Sequence, residues 1–265
     1  MFERFSDEIL AAFSTREGGV SEGCYASLNL AHNTGDDPTR VRINFERWCE
    51  SLGVDPHHTV MVHQVHGNRV IEAEASLLGE GIYRERSVDA DGIVTNQPGI
   101  ALITSHADCA PLYLYDSVHH AVGMTHAGWR GTVAEIARET VKKMAACYGT
   151  KPQDVYAAVG PCIHAAAFAC DADVAEPASA MPCLSELPAH FREEAIYYRA
   201  SEGKYHVSLP LLNRASLIAA GVPEPHIEID PRCTYEREDL YFSHRRMGKA
   251  RGGHCALLML RGEGR

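Results

Sequence analysis

Six short runs suited to strands follow one another between residues 58 and 125. They lie at 58–63, 69–73, 89–95, 100–104, 112–115 and 121–125 and are rich in Ile, Val, Leu and Tyr, residues that suit a pleated, half-buried surface. Further strands are expected at 155–159, 227–229 and 255–260. Three separated helices flank them. Over 38–52, Asp37 supplies an N-cap, Pro38 fits the first helical turn, and Val41, Phe45, Trp48 and Leu52 form an apolar stripe closed by Gly53. Over 132–147, Thr132 and Glu135 read as a capping box, with Val133, Ile136, Val141 and Met144 on one face. A third helix is expected over 208–221, ended by Gly221. Strands mixed with separated helices indicate a mixed-sheet α/β (α+β) domain. No repeat or linker divides the chain, so residues 1–265 read as one domain. The stretch 171–203, punctuated by Pro177, Pro182 and Pro188, reads as a peripheral insertion with short helices.

Three segments at strand ends carry the chemistry: Gln64-Val65-His66-Gly67, His106-Ala107-Asp108-Cys109-Ala110-Pro111, and His126 through Thr132 (His-Ala-Gly-Trp-Arg-Gly-Thr). His66, Cys109 and His126 offer two imidazoles and a thiolate. That donor set suits Zn²⁺ and leaves a fourth position for water or substrate. The separations of 43 and 17 residues match no local zinc signature; placement at strand ends, where functional residues collect, is what recommends the trio. His66 is expected at a hairpin tip between 58–63 and 69–73. His63, three residues earlier in extended chain, is expected on the opposite face, and His106 beside the site as a packing or supporting residue. Asp108 is a candidate to orient a histidine or carry protons, with a turn-capping carboxylate as the alternative.

Other polar groups are candidates for substrate. Gly128 and Gly131 let the backbone approach something closely, and Arg130 could add a charged fork at a helix start. Ser243, Arg245 and Arg246 concentrate hydroxyl and guanidinium groups near the C-terminus, with a solvated strand end as the plain alternative. Arg16 and Asn29 lie in loops that could cover a pocket or serve only as loops. Cys162 is either a further thiolate or a buried thiol.

Composition limits the partners. The net charge of −10 argues against a nucleic-acid backbone. No run approaches the roughly 18 apolar residues of a membrane span. The N-terminal stretch has no basic segment before an uninterrupted apolar run, and nine cysteines without a CxxC read as reduced thiols. A cytoplasmic protein, monomer or homodimer, is expected.

These segments together resemble the YfiH-type family, the laccase-domain proteins once called polyphenol oxidases and now regarded as purine nucleoside phosphorylases. The resemblance runs through Phe13–Ser21, Ser27–Asn29, Gly35–Asp37, Gln64–Gly67, Asp89–Gly92, Ala107–Cys109, His126–Gly131, Gly160–Cys162, Cys233–Tyr235 and Phe242–Arg246, in family order across nearly the whole chain. It implies zinc on His66, Cys109 and His126, and phosphorolysis of adenosine, inosine, guanosine and methylthioadenosine. It further implies hydrolytic deamination of adenosine, and a layered α/β/β/α fold similar to the catalytic domain of cytotoxic necrotizing factors. His244 stands where a Tyr is frequent, and 163–171 lacks an expected Tyr-Glu-Val run.

Three other readings compete. A copper-dependent phenol oxidase would place Cu²⁺ at the same trio, but the chain has no His-x-His pair. A cysteine hydrolase would use Cys109 as nucleophile and His126 as base. A binding module would hold purines without turnover.

Overall fold

Leu112 and Leu114 face one way from their strand, and Tyr113 and Tyr115 face the other. All four are fully buried, so this strand has a core on each side. It is β6 (Ala110–Asp116), central in a six-stranded mixed sheet. The order is β12 (Ile227–Ile229), β8 (Val155–Val159), β6, β7 (Ala121–Ala127), β4 (Gly92–Thr95) and β3 (Val70–Glu72). The two outer pairs are parallel and the inner pairings antiparallel. The structure, a computed structural model, describes residues 2–32 and 34–262.

A four-stranded sheet packs against the tyrosine face. Its order is β1 (Ile9–Phe13), β13 (His254–Leu260), β5 (Ala101–His106) and β2 (Thr59–Met61). The period of two sets its faces. Leu102, Ala256 and Leu258 meet Tyr113, Tyr115 and Met124 between the sheets. Ala101, Ile103 and Leu257 point outward beneath α1 (Pro38–Leu52). On the far side, α3 (Ile136–Tyr148) and α7 (Leu209–Ala219) cover Leu112, Leu114 and Val159. The fold is therefore a single-domain α/β/β/α stack of mixed sheets.

Helix α1 follows its local signals. The Asp37 carboxylate accepts from Thr39 N at 2.8 Å, and Gly53, at φ 67°, closes the last turn onto Cys49 and Glu50. Phe45 is fully buried against this sheet; cutting it to Ala is expected to cost roughly 3–5 kcal/mol. Residues 171–203 supply α4 (Ala172–Ser179), α5 (Pro182–Ser185), α6 (His190–Ala195) and β10 (Ile196–Arg199). The strand β10 joins β11 (Lys204–Val207) and β9 (Ala169–Cys170) in a small third sheet. Val174, Ala178, Cys183 and Ala195 from this stretch lie in the same core as α3 and α7.

Two expectations are corrected. The runs around His66 do not form a hairpin: β2 pairs with β5 in one sheet and β3 with β4 in the other. The Gly-Asn turn signal marks a crossing between sheets. The helix expected over 132–147 begins earlier and breaks, as α2 (Trp129–Val133) and then α3. Thr132 and Glu135 make no capping box. Glu135 is left-handed, at φ 55°, and its carboxylate accepts from Cys183 N at 2.8 Å. The Ala134 carbonyl accepts from the Asn68 side chain at 3.0 Å, so a distant loop takes the group that would have continued the helix.

Candidate metal centre

The register of β6 against β7 pairs Pro111 with His126, which puts Cys109, just before β6, beside the end of β7. The crossing loop between the sheets brings His66 over the same point. His66, at φ 61°, and Asp108, at φ 83°, both sit in left-handed turns that aim the chain around it. The ligand atoms of His66, Cys109 and His126 all lie within 4.8 Å of one another. His66 is exposed, Cys109 half-buried and His126 buried. Among the described residues no other group of three His, Cys, Asp or Glu side chains converges in this way.

Asp91, fully buried, builds the frame. Its Oδ1 meets His126 Nδ1 at 2.9 Å, which leaves Nε2 for the centre. The same carboxylate accepts from the backbone N–H groups of Val65 (3.1 Å), His66 (3.0 Å) and Gly67 (2.7 Å). One side chain thus fixes the orientation of one histidine and the loop that carries the other. Gln64 clamps the loop to β5, accepting from Ser105 N at 2.7 Å and donating to Ser105 O at 2.9 Å.

Gly128 keeps the centre open. A Cβ there would fall 2.9 Å from His66 Cδ2, 3.1 Å from Cys109 Sγ and 3.7 Å from His126 Cε1. Gly131 lets α2 lie against the His66 loop, since a Cβ would stand 2.7 Å from Gly67 O. Two borderline nitrogens and one soft sulfur around a cradle that a methyl would fill are a donor set that could hold a metal ion.

Burial alone would raise the Cys109 thiol; the neighbouring His126 and His66 outweigh it and draw it down to about 6. Burial would likewise push His126 down, but the Cys109 thiolate and Asp91 raise it to about 9. Near neutral pH the pair is thus a thiolate beside an imidazolium; a metal ion would take the thiolate as it stands and displace the proton from His126 Nε2.

Two cavities meet at His66, Ala107 and Cys109. One, of about 140 Å³, is polar and bordered by His32, His63, Gln64, Arg86 and Arg251. The other, of about 200 Å³, is largely apolar and bordered by Trp129, Phe168, Ile163 and Leu209, with Arg130 and Arg245 beside them. His63 and His66 both border the polar cavity, contrary to the expectation of opposite faces, because the chain bends at 65–67 instead of staying extended. His63 Nδ1 is tied to Asp89 at 2.7 Å. His106 packs beside His126, with its rings' centres 5.3 Å apart, and bonds to Thr104 and to the Cys109 carbonyl.

The substrate candidates divide. Arg130 stacks on Trp129, and Arg245 lies over Phe168 while also donating to the Ala169 carbonyl; both border the apolar cavity. The rest are bound into the fold. Arg16 donates to the carbonyls of Ala26 and Glu238. Asn29, fully buried, joins Ala31, Gly253 and Asp36. Arg246 donates to the carbonyls of Thr234, Tyr235 and Tyr241. Ser243 caps α8 (His244–Met247) through Arg246 N. Asp108 borders the apolar cavity, but both its oxygens are engaged: Oδ1 by Thr234 at 2.7 Å, Oδ2 by Ser243 at 3.0 Å and Arg245 N at 2.7 Å. Cys162 is fully buried and outside the cluster.

Asp91, Gln64, Arg86 and Arg251 were not singled out from sequence. For Asp91 the available signal was the Asp89-Ala90-Asp91-Gly92 motif ahead of a strand; Arg86 and Arg251 carry none.

A layered mixed α/β domain holding a His-Cys-His cluster at the meeting of two clefts is the class that fold and site define. Its sequence matches, over residues 10–261, the family described as multi-copper polyphenol oxidoreductase laccase. It is 34% identical to purine nucleoside phosphorylase YlmD of Bacillus subtilis over 241 residues, 90% of this chain and 84% of that one. It is 35% identical to adenosine deaminase RL5, from an unknown prokaryote, over 92% of this chain and 91% of that one. The crystal structure of Bacillus licheniformis YfiH superposes with a TM-score of 0.91 at 31% identity, covering 98% of this chain and 96% of that one. The chain belongs to this laccase-domain family of YfiH and YlmD. Among the described residues no helix is long and apolar enough to cross a membrane.

Proposed function

We propose that the protein is a zinc-dependent purine nucleoside phosphorylase, acting on adenosine, inosine, guanosine and methylthioadenosine, with accompanying hydrolytic deamination of adenosine. The observation that carries this reading is the convergence of His66, Cys109 and His126 between an aromatic cleft and a cationic one. Zn²⁺ on these three would act as a Lewis acid toward a substrate oxygen or water. The rest is work for the chain. Trp129 and Phe168 line an apolar wall for a purine, with Arg130 and Arg245 over their rings. In phosphorolysis a phosphate oxygen bonds to C1′ while the C1′–N9 pair leaves with the purine, which takes up a proton. Positive charge spreads over the ribose in between. His63, oriented through Nδ1 by Asp89, is the candidate for proton transfer on the polar side of the centre. Asp108, with both oxygens engaged, acts as a positioning group for α8. Cytoplasmic residence goes with this reading.

The test is release of hypoxanthine from inosine by zinc-assayed protein. It should require phosphate and vanish with Cys109→Ala. Two rivals give different results. A cysteine hydrolase using Cys109 and His126 predicts rapid alkylation of Cys109 in metal-replete protein, where a metal-bound thiolate is protected. A copper-dependent phenol oxidase predicts copper in stoichiometric amount and oxidation of phenols. Its multi-copper form needs more donor clusters than the one found among the described residues.

A further inference from the structure

The two cavities differ in charge. Arg86 and Arg251 both border the polar one, and no Asp or Glu does. The apolar one contains the Asp108 carboxylate. Unpaired arginines are unexpected in a chain of net charge −10, with ten more acidic than basic residues available. Yet among the described residues Arg86, half-buried, has no hydrogen-bond or ion-pair partner. Arg251 donates only to neutral acceptors: His244 Nδ1 at 3.3 Å and the Gly252 carbonyl at 2.9 Å. The same cavity wall includes His32, whose Nε2 is buried without a partner. Arg251 lies within electrostatic reach of Asp108 and Cys109 but pairs directly with neither, and holding two guanidinium groups partly out of water with no ion-pair partner is costly unless an anion completes the site.

We propose that this polar cavity is a phosphate subsite, formed by Arg86 and Arg251 with His32 as a further donor. The proposal rests on the phosphorylase reading and adds the place of the second substrate. Arginine forks match the geometry of phosphate oxygens. The position is consistent with the chemistry: an anion here and a nucleoside against Trp129 and Phe168 would approach the His66–Cys109 rim from opposite sides. Burial lowers His32 to about 4, with Arg86 adding to the shift, so near neutral pH it meets the anion as a neutral imidazole that can donate through Nε2. Of the substrate candidates read from the sequence, Arg130 and Arg245 border the apolar cavity instead, and Arg246 borders neither.

The experiment is calorimetric titration of inorganic phosphate into zinc-loaded full-length protein. Parallel titrations use Arg86→Gln, Arg251→Gln, Arg86→Lys, Arg130→Gln and Arg40→Gln. Arg40 pairs with Glu22 and borders neither cavity, so it controls for net charge. Arg86→Gln and Arg251→Gln should each weaken phosphate binding at least tenfold and raise the KM for phosphate by a similar factor, leaving the KM for adenosine within about twofold. Arg86→Lys, which keeps the charge, should lose less, and Arg40→Gln nothing. Ribose 1-phosphate supplies the second arm. Binding of both ligands, weakened alike, marks the cavity as holding the phosphoryl group throughout the reaction; binding of free phosphate alone marks it as the entry site. Undiminished phosphate binding in Arg86→Gln and Arg251→Gln, a loss confined to Arg130→Gln, or no phosphate binding by the parent protein would overturn the subsite. If adenosine is cleaved with phosphate but these KM values do not move, the subsite fails and the phosphorylase reading stands. If phosphate binds through Arg86 and Arg251 and no nucleoside is cleaved, the reverse holds.

Discussion

The buried carboxylate of Asp91 holds His126 Nδ1 at 2.9 Å and, through three backbone N–H groups, the loop that carries His66. Two of the three proposed ligands thus depend on a residue that need not touch the metal. Replacing Asp91 with Ala should lower zinc affinity by about 10–100-fold, the range seen when such supporting groups are removed. Competition with a chromophoric chelator reads this directly. Wild-type affinity in Asp91→Ala would contradict the coupling.

Gly128→Ala places a methyl in the middle of the donor set. The backbone there, at φ −69°, is open to any residue, so the fold itself should tolerate the change. Zinc affinity and turnover should fall at least tenfold (about 1.4 kcal/mol or more in binding), while the melting temperature moves by only a few degrees. Retained affinity would mean that the ion does not sit in this cradle.

Asp108→Ala should act on stability. It leaves Thr234 Oγ1, Ser243 Oγ and Arg245 N without their acceptor, in a site only 8% exposed. Unmet buried polar groups cost about 1–3 kcal/mol each, and partial relaxation should leave a loss within that range. Urea unfolding measures the loss, and zinc content should stay at the wild-type level. A stable variant with abolished turnover would instead return Asp108 to proton transfer.

His254 sets an acid limit. Burial pushes its pKa down to about 3, helped by Arg251 and Arg16, against the backbone contacts that raise it. Burial lowers His32 to about 4. Both folded values lie below the unfolded value of about 6.5, so the unfolded chain binds protons that the native state refuses. Stability is fully present above about pH 6.5 and is lost as pH falls from there toward the folded values. His254 alone should cost roughly 2 kcal/mol between pH 7 and pH 5. Urea unfolding at the two pH values tests this; equal stabilities would contradict it.

What could be read from sequence was local. Helix α1 is specified by neighbours in sequence: the Asp37 cap, the Val41–Phe45–Trp48 stripe and the Gly53 stop. The His66, Cys109 and His126 trio was legible because each lies where a strand-like run meets a turn. The hairpin reading failed because the same turn chemistry serves a hairpin and a crossing between sheets. Only the remote partners, β5 and β4, decide between them. The break between α2 and α3 depends on Asn68, 66 residues from the carbonyl it holds. Asn29 and Arg246 looked available for substrate because an unpaired polar side chain in sequence is indistinguishable from one whose partners lie elsewhere in the fold. Asp91 went unread for the same reason.

The most direct test of the central claim is to incubate metal-assayed protein with adenosine, with and without phosphate, and identify the products by mass spectrometry. Cys109→Ala serves as the control. The account predicts adenine and ribose 1-phosphate only when phosphate is present, inosine in either condition, and neither reaction in the variant. No turnover by a zinc-loaded sample, or equal turnover by Cys109→Ala, would contradict it.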